Sequence, residues 1–256
     1  MGLFNNLFGS SSKGKEQETK VRAQFKNEKY FKNQIARCDM FIESDRLNEI
    51  GYLKTHNALK DSHYMSNCSI RNKKIETLYS IGANIQDLIP IFRESLDNFL
   101  QGFSDDFKNN TLTIQILSFI VLLNMSEKDL PDLTRFIEKW EDNNSINDDF
   151  KPCSLVYYFI NNKKERKVYE PFDMLYNITQ LPKEKAEEAI KEYLDKWYEM
   201  HKDEPWYNTH LREKGYSGYW AWEVGAVVKK MNLDDNSFKD HPFYPYDMVH
   251  WQENKK

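Results

Sequence analysis

Glycine and proline are scarce in this chain of 256 residues, with nine and eight copies. A many-turned all-β fold spends both at its reversals, so their scarcity points to helices. Cysteine is scarcer still. Cys38, Cys68 and Cys153 are odd in number, scattered and without metal-ligand spacing, which predicts reduced thiols in a cytoplasmic setting. No apolar run approaches the ~20 residues that a membrane-spanning helix needs. The longest, Leu112 to Met125, contains Gln115 and Ser118 and reads as a buried core helix. A Gly-rich phosphate loop, a G-x-S-x-G elbow and an HExxH pair are all missing, and no repeat recurs at a fixed period. Gly2 is followed by Asn6 where N-myristoylation wants Ser or Thr, and no basic segment precedes the short apolar patch. Neither a lipid anchor nor a signal peptide is therefore expected, and residues 1–20 are expected to be disordered.

What the chain has in quantity is aromatic side chains, 14% of all residues, enough to fill a large interior. Its net charge of −4 hides an asymmetry. Residues 11–85 carry 14 Lys and Arg against 9 Asp and Glu, residues 86–150 carry 5 against 13, and residues 151–256 are nearly balanced at 17 against 18. The acidic centre can steer a basic partner and is a poor surface for nucleic acid.

Period-3.6 patterns recur along the chain and no sustained period-2 alternation does, so the expected class is all-α, a helical bundle of two packed halves. Phe25, Tyr30, Phe31, Ile35, Cys38, Phe41 and Ile42 make the first apolar side. Ile75, Leu78, Tyr79, Gly82, Ile85, Leu88 and Ile89 make a second, which Pro90 is expected to end or kink. Ser126 reads as a helix cap and Pro131 as a first-turn residue. Further helices are expected near 152–161 and 165–178, followed by a long one opening at Pro182 with a Glu187–Lys191 pair on its exposed face. The Asp- and Asn-rich stretch between Trp140 and Pro152 is the expected boundary, giving an N-terminal domain of residues 21–145 and a C-terminal domain of residues 146–256.

The segment from Gly215 to Trp251 concentrates three of the six tryptophans with a cluster of acids and histidines. A helix is expected from about Tyr219, with Trp220, Val224, Val227, Val228 and Met231 buried and Glu223 half-buried at the stripe's margin, in need of donors such as a Tyr hydroxyl, an indole N–H or a loop amide. Gly225 leaves room for a ring or backbone to approach. Asp234 and Asp235 read as caps of a short turn, and Pro245 as the start of a last helix from Tyr246 to Trp251. Two readings of these polar groups compete. Glu223, Asp234, Asp235 and His241 converging in one pocket would make a helical hydrolase or metal-dependent enzyme. Internal struts would make a binding module. His241 and His250 lie nine apart across two prolines, which is no metal signature, so no metal and no cofactor are expected.

Taken in order, Gly218-Tyr219-Trp220, Glu223, Asp234-Asp235 with Ser237, Tyr244-Pro245 and Asp247 resemble the C-terminal signature of the PoNi immunity proteins. Phe25 to Phe31 and Tyr79-Ser80-x-Gly82 are similar to the family's first domain, and Met248 stands where the family is expected to have leucine. The resemblance implies a two-part helical protein without catalysis of its own. Such a protein stays in the cytoplasm and binds one cognate DNase toxin, of the PoNe type, of a polymorphic toxin system. It implies no toxin-contact residues. Those are sought in the acidic centre: Glu141, Asp142, Asp148 and Asp149 first, Asp105 and Asp106 second, with Trp140 and Phe150 as aromatic anchors.

Overall fold

The computed structural model describes residues 20–104, 109–125, 133–142 and 151–252. Among them are ten α-helices and no strand, so the fold is all-α. The helices are α1 (Glu28–Leu53), α2 (Asp61–Ile81), α3 (Leu88–Gly102), α4 (Asn110–Leu122), α5 (Leu133–Asp142), α6 (Ser154–Phe159), α7 (Glu170–Thr179), α8 (Lys183–Met200), α9 (Trp222–Met231) and α10 (Tyr246–Val249). The expected disorder of residues 1–20 falls, except for residue 20, outside the described residues. So do the Ser126 cap, Pro131 and the boundary at 145/146.

α1 starts where Asn27 accepts the Tyr30 N–H at 3.0 Å, as an N-cap does. Its first half buries Phe31, Ile35 and Cys38 against α2. Its second half turns Met40, Phe41, Leu47, Ile50 and Leu53 to the outside, so the apolar side read from Phe25 through Ile42 is buried only between Phe31 and Cys38. α2 ends at Gly82, not at Pro90. Gly82 has φ +98°, its N–H donates to the Tyr79 carbonyl at 3.1 Å, and the Ala83 N–H donates to the Leu78 carbonyl at 3.0 Å. This is the left-handed helix stop that glycine adopts without a Cβ penalty. Pro90 instead lies in the first turn of α3, where its missing N–H has no intrahelical partner to lose.

α4 is the central helix predicted from Leu112–Met125, ending at Leu122. It packs on α9 and α6, and its polar residues are accommodated locally. Thr113 and Ser118 donate to the carbonyls four residues back, at 2.8 and 2.7 Å. Lys229 of α9 donates to the Leu122 carbonyl at 2.8 Å, closing the C-terminal end of α4, and burial draws its pKa down to about 8.

The helices expected at 152–161 and 165–178 are shorter. Asn161 takes φ +59° after α6, and the chain then returns extended, with the Ser154 N–H donating to the Arg166 carbonyl at 3.0 Å. α8 buries Ala186, Ile190, Tyr193, Leu194 and Trp197, which recur at helical spacing along one face. The Glu187–Lys191 pair does not form: Glu187 accepts the Asp234 N–H at 2.8 Å, and Lys191 reaches Asp195 at 3.4 Å. α9 begins at Trp222 rather than Tyr219, because the backbone before it is non-helical, with Gly218 at φ +113°, and the Ala221 N–H donates to the Phe243 carbonyl at 2.8 Å. It is buried all round rather than along a stripe, and α10 stops at Val249. Most of the buried apolar residues form one continuous cluster, from Ala23 to Val249. No helix among the described residues is long and apolar enough to cross a membrane.

Candidate functional site

The extended stretch before α9 lies against α2. Gly218 has φ +113°, and a Cβ built there would stand 2.2 Å from Ser80 Oγ and 2.3 Å from Trp220 Nε1, so only glycine fits. Trp220 donates its indole N–H to Ser80 Oγ at 2.8 Å, and Ser80 Oγ donates to the Ser217 carbonyl at 2.5 Å. Beneath them runs a polar chain. Ser217 Oγ donates to Glu76 Oε2 at 2.6 Å, Gln115 Nε2 donates to Glu76 Oε1 at 2.6 Å, and Asn72 Nδ2 donates to Gln115 Oε1 at 3.1 Å. Ser95 Oγ then donates to Asn72 Oδ1 at 2.6 Å. Four separated parts of the chain thus meet through paired polar groups, which makes their mutual placement specific. Burial raises the pKa of Glu76, against the lowering effects of Ser217, Lys73 and Gln115.

Glu223 is 8% exposed, deeper than the half-buried margin expected for it. Of the donor types expected, an indole is the side chain that reaches it: Trp197 Nε1 donates to Oε1 at 2.5 Å. Burial dominates and holds the carboxyl at about 7. One turn along α8, His201 Nδ1 lies 2.7 Å from the Trp197 carbonyl, and burial lowers the imidazole's pKa. Glu76, Gln115, Trp197, Tyr219, Trp222 and Glu223 are among the residues that line a cavity of about 260 Å³.

The remaining signature residues hold local structure. Asp234 Oδ1 accepts from the Asn236 N–H at 3.1 Å and from its side-chain amide at 2.7 Å, a turn cap as read from the sequence. Asp235 is buried and faces Tyr244 Oη and His250 Nε2, each at 2.7 Å from its Oδ2, with Tyr244 donating. Ser237 is exposed in the same turn. Tyr219 Oη accepts the His210 N–H at 3.0 Å. A Cβ on Gly225 would lie 2.7 Å from Pro245 Cγ, so the ring expected to approach Gly225 is Pro245. Asp247 accepts from Arg22 Nε at 2.5 Å.

The four residues of the hydrolase reading do not share a pocket. Of Glu223, Asp234, Asp235 and His241, only Glu223 lines the cavity, and His241 pairs instead with Asp195 at 3.7 Å. No group of three His, Cys, Asp or Glu side chains among the described residues could hold a metal ion. Of the residues sought for a partner surface, Trp140 is 3% exposed and sets its ring edge-on to Phe103 at 5.4 Å, inside the core. Glu141 and Asp142 end α5, while Asp105, Asp106, Asp148, Asp149 and Phe150 lie outside the described residues. Glu76, Gln115 and Trp197 were not singled out as site residues from the sequence. The one available signal was Asn72 and Glu76 standing four apart beside the apolar positions of α2.

Residues 154–248 match the family model described as PoNe immunity proteins (PoNi), C-terminal. The C-terminal region is PoNi-type. No curated protein sequence matches the chain. The crystal structure of protein PA2201 from Pseudomonas aeruginosa is similar at a TM-score of 0.57 and 19% identity, covering 90% of each chain. At that identity the likeness shows the fold alone, and it extends well beyond the PoNi-type region into α1–α5. Every signature residue from Gly218 to Asp247 lies inside the PoNi-type match, and most serve the packing described above.

Proposed function

We propose that the chain is an immunity protein that binds a PoNe-type DNase toxin and neutralises it by direct contact in the cytoplasm of the producing cell. The observation that carries this reading is the PoNi match over residues 154–248. The geometry agrees with it. Of the polar residues that could have been catalytic, Asp234, Asp235 and His241 are held outside the cavity lining, in a turn, by Tyr244 and beside Asp195.

In this reading the protein performs no turnover, takes no cofactor and touches neither DNA nor membrane. It uses the acidic residues 86–150 to meet the basic surface by which a nuclease holds its polyanionic substrate. Glu141, Asp142, Asp148 and Asp149 are the first choice for that contact, with Asp105 and Asp106 second and Phe150 as an anchor. The test is co-expression with a cognate PoNe-type nuclease, sought among the neighbouring genes. Survival of cells carrying both genes, with death of cells carrying the toxin alone, supports the reading, and equal killing rejects it.

A further inference from the structure

Glu76 and Glu223 line one cavity, and neither has an ion-pair partner among the described residues. Neutral groups hydrogen-bond them: Ser217, Gln115 and Trp222 to Glu76, and Trp197 to Glu223. Lys73 acts on Glu76 only through space. Hydrogen bonds from neutral donors reduce the cost of burying a carboxylate but leave its charge uncompensated. The walls are aromatic. Trp197 and Trp206 stack at 5.2 Å, Tyr219 sits 5.5 Å from Trp206, and Trp220 and Trp222 complete the lining. Ring faces and carboxylates together are what a cation meets in an aromatic cage, and they repel an anion.

Access and size restrict the occupant further. Thr111 is exposed, and Trp206, Ser217 and Gly218 are partly so, which makes them the rim. Glu76 keeps accessible surface although protein surrounds it, because it faces the cavity. A volume of about 260 Å³ lies just below the roughly 300–1,000 Å³ of pockets for drug-sized ligands, so the occupant is small.

We propose that this cavity binds a small free organic cation, an alkylammonium or alkylguanidinium, with Glu223 and Glu76 as counter-charges and the tryptophan rings as walls. Burial favours the neutral form of both carboxyls, and an entering cation would draw them back to carboxylates. The proposal is independent of the nuclease reading, because its test needs no toxin.

The test titrates the full chain calorimetrically with choline and with agmatine. The neutral isosteres 3,3-dimethyl-1-butanol and n-butylurea serve as controls. Saturable binding of at least one cation is expected, with no binding of its isostere. Glu223→Gln should weaken it by about tenfold or more, as should Trp206→Ala at the partly exposed rim. Should Glu223→Gln fail to fold, Glu76→Gln and Trp206→Ala carry the comparison. Absence of saturable binding for both cations to the folded parent overturns the proposal. So does equal binding of the isosteres, or undiminished binding in the folded variants.

Discussion

Ser80 of α2 accepts the indole N–H of Trp220 at 2.8 Å across 140 positions of sequence. The Tyr79-Ser80 step and the Gly218-Tyr219-Trp220 motif, the second inside the matched region, are therefore two sides of a single contact. Gly218 leaves the space in which they meet.

Gly218→Ala should be among the most damaging single changes. It combines a left-handed backbone with a Cβ driven into both Ser80 and Trp220, and should cost at least about 3 kcal/mol. Ser80→Ala leaves the Trp220 N–H buried without its acceptor and should cost about 1–3 kcal/mol. Urea denaturation of the two variants measures both losses. Equal stability of Gly218→Ala and the parent would contradict the geometry.

Arg22 and Asp247 should contribute unequally although they form one ion pair. Arg22 also donates to the carbonyls of Tyr79 and Ala83, each at 2.9 Å, and lies 4.6 Å above the Tyr79 ring. Arg22→Ala should therefore cost about 2–3 kcal/mol. The Asp247 side chain is half exposed, and Asp247→Ala should cost under about 1 kcal/mol. Denaturant midpoints of the two variants give the order, and a larger loss for Asp247→Ala would reverse the assignment.

Glu223 predicts a pH dependence. Its carboxyl titrates at about 7 in the folded protein against an ordinary value of 4.5, so between these the folded state holds a proton that the unfolded chain has released. The resulting stability is fully present below pH 4.5 and is lost as pH rises to 7, about 3 kcal/mol in all. His201, whose pKa burial lowers, acts in the opposite direction. Glu223→Gln isolates the carboxyl: from pH 5 to pH 8 the parent should lose about 3 kcal/mol relative to this variant. A difference that stays constant with pH would contradict it. Glu223→Ala, which leaves the Trp197 N–H without its acceptor, should cost about 1–3 kcal/mol at neutral pH.

How far the sequence disclosed all this depended on the range of each interaction. Leu112–Met125 was legible because a nearly all-apolar helix has only one place to go. The Gly225–Pro245 approach and the indole partner of Glu223 were anticipated as types of contact, since a buried carboxylate must find donors. Gly82 was misread as part of an apolar stripe because its left-handed φ leaves no periodic mark, and the break was transferred to Pro90. Trp140 looked like a surface anchor because it adjoins acidic residues, but its ring belongs to Phe103. Glu76 was invisible as a site residue: its partners Gln115 and Ser217 lie 39 and 141 positions away, and nothing local announces them.

The acidic centre predicts the kinetics of partner binding. Replacing Asp142, Asp148 and Asp149 with Lys should slow association with a basic nuclease and flatten its salt dependence, because screening acts over about 10 Å at 0.1 M salt. Stopped-flow association at low and high salt reads both effects. An unchanged rate would remove these residues from the interface.

That a chain with a PoNi-type C-terminal region restrains a nuclease by binding it can be decided by mixing the purified protein with a cognate PoNe-type nuclease and following DNA cleavage. The account predicts a stable complex and cleavage that stops once the protein matches the nuclease in amount. Undiminished cleavage in the presence of excess folded protein would contradict it.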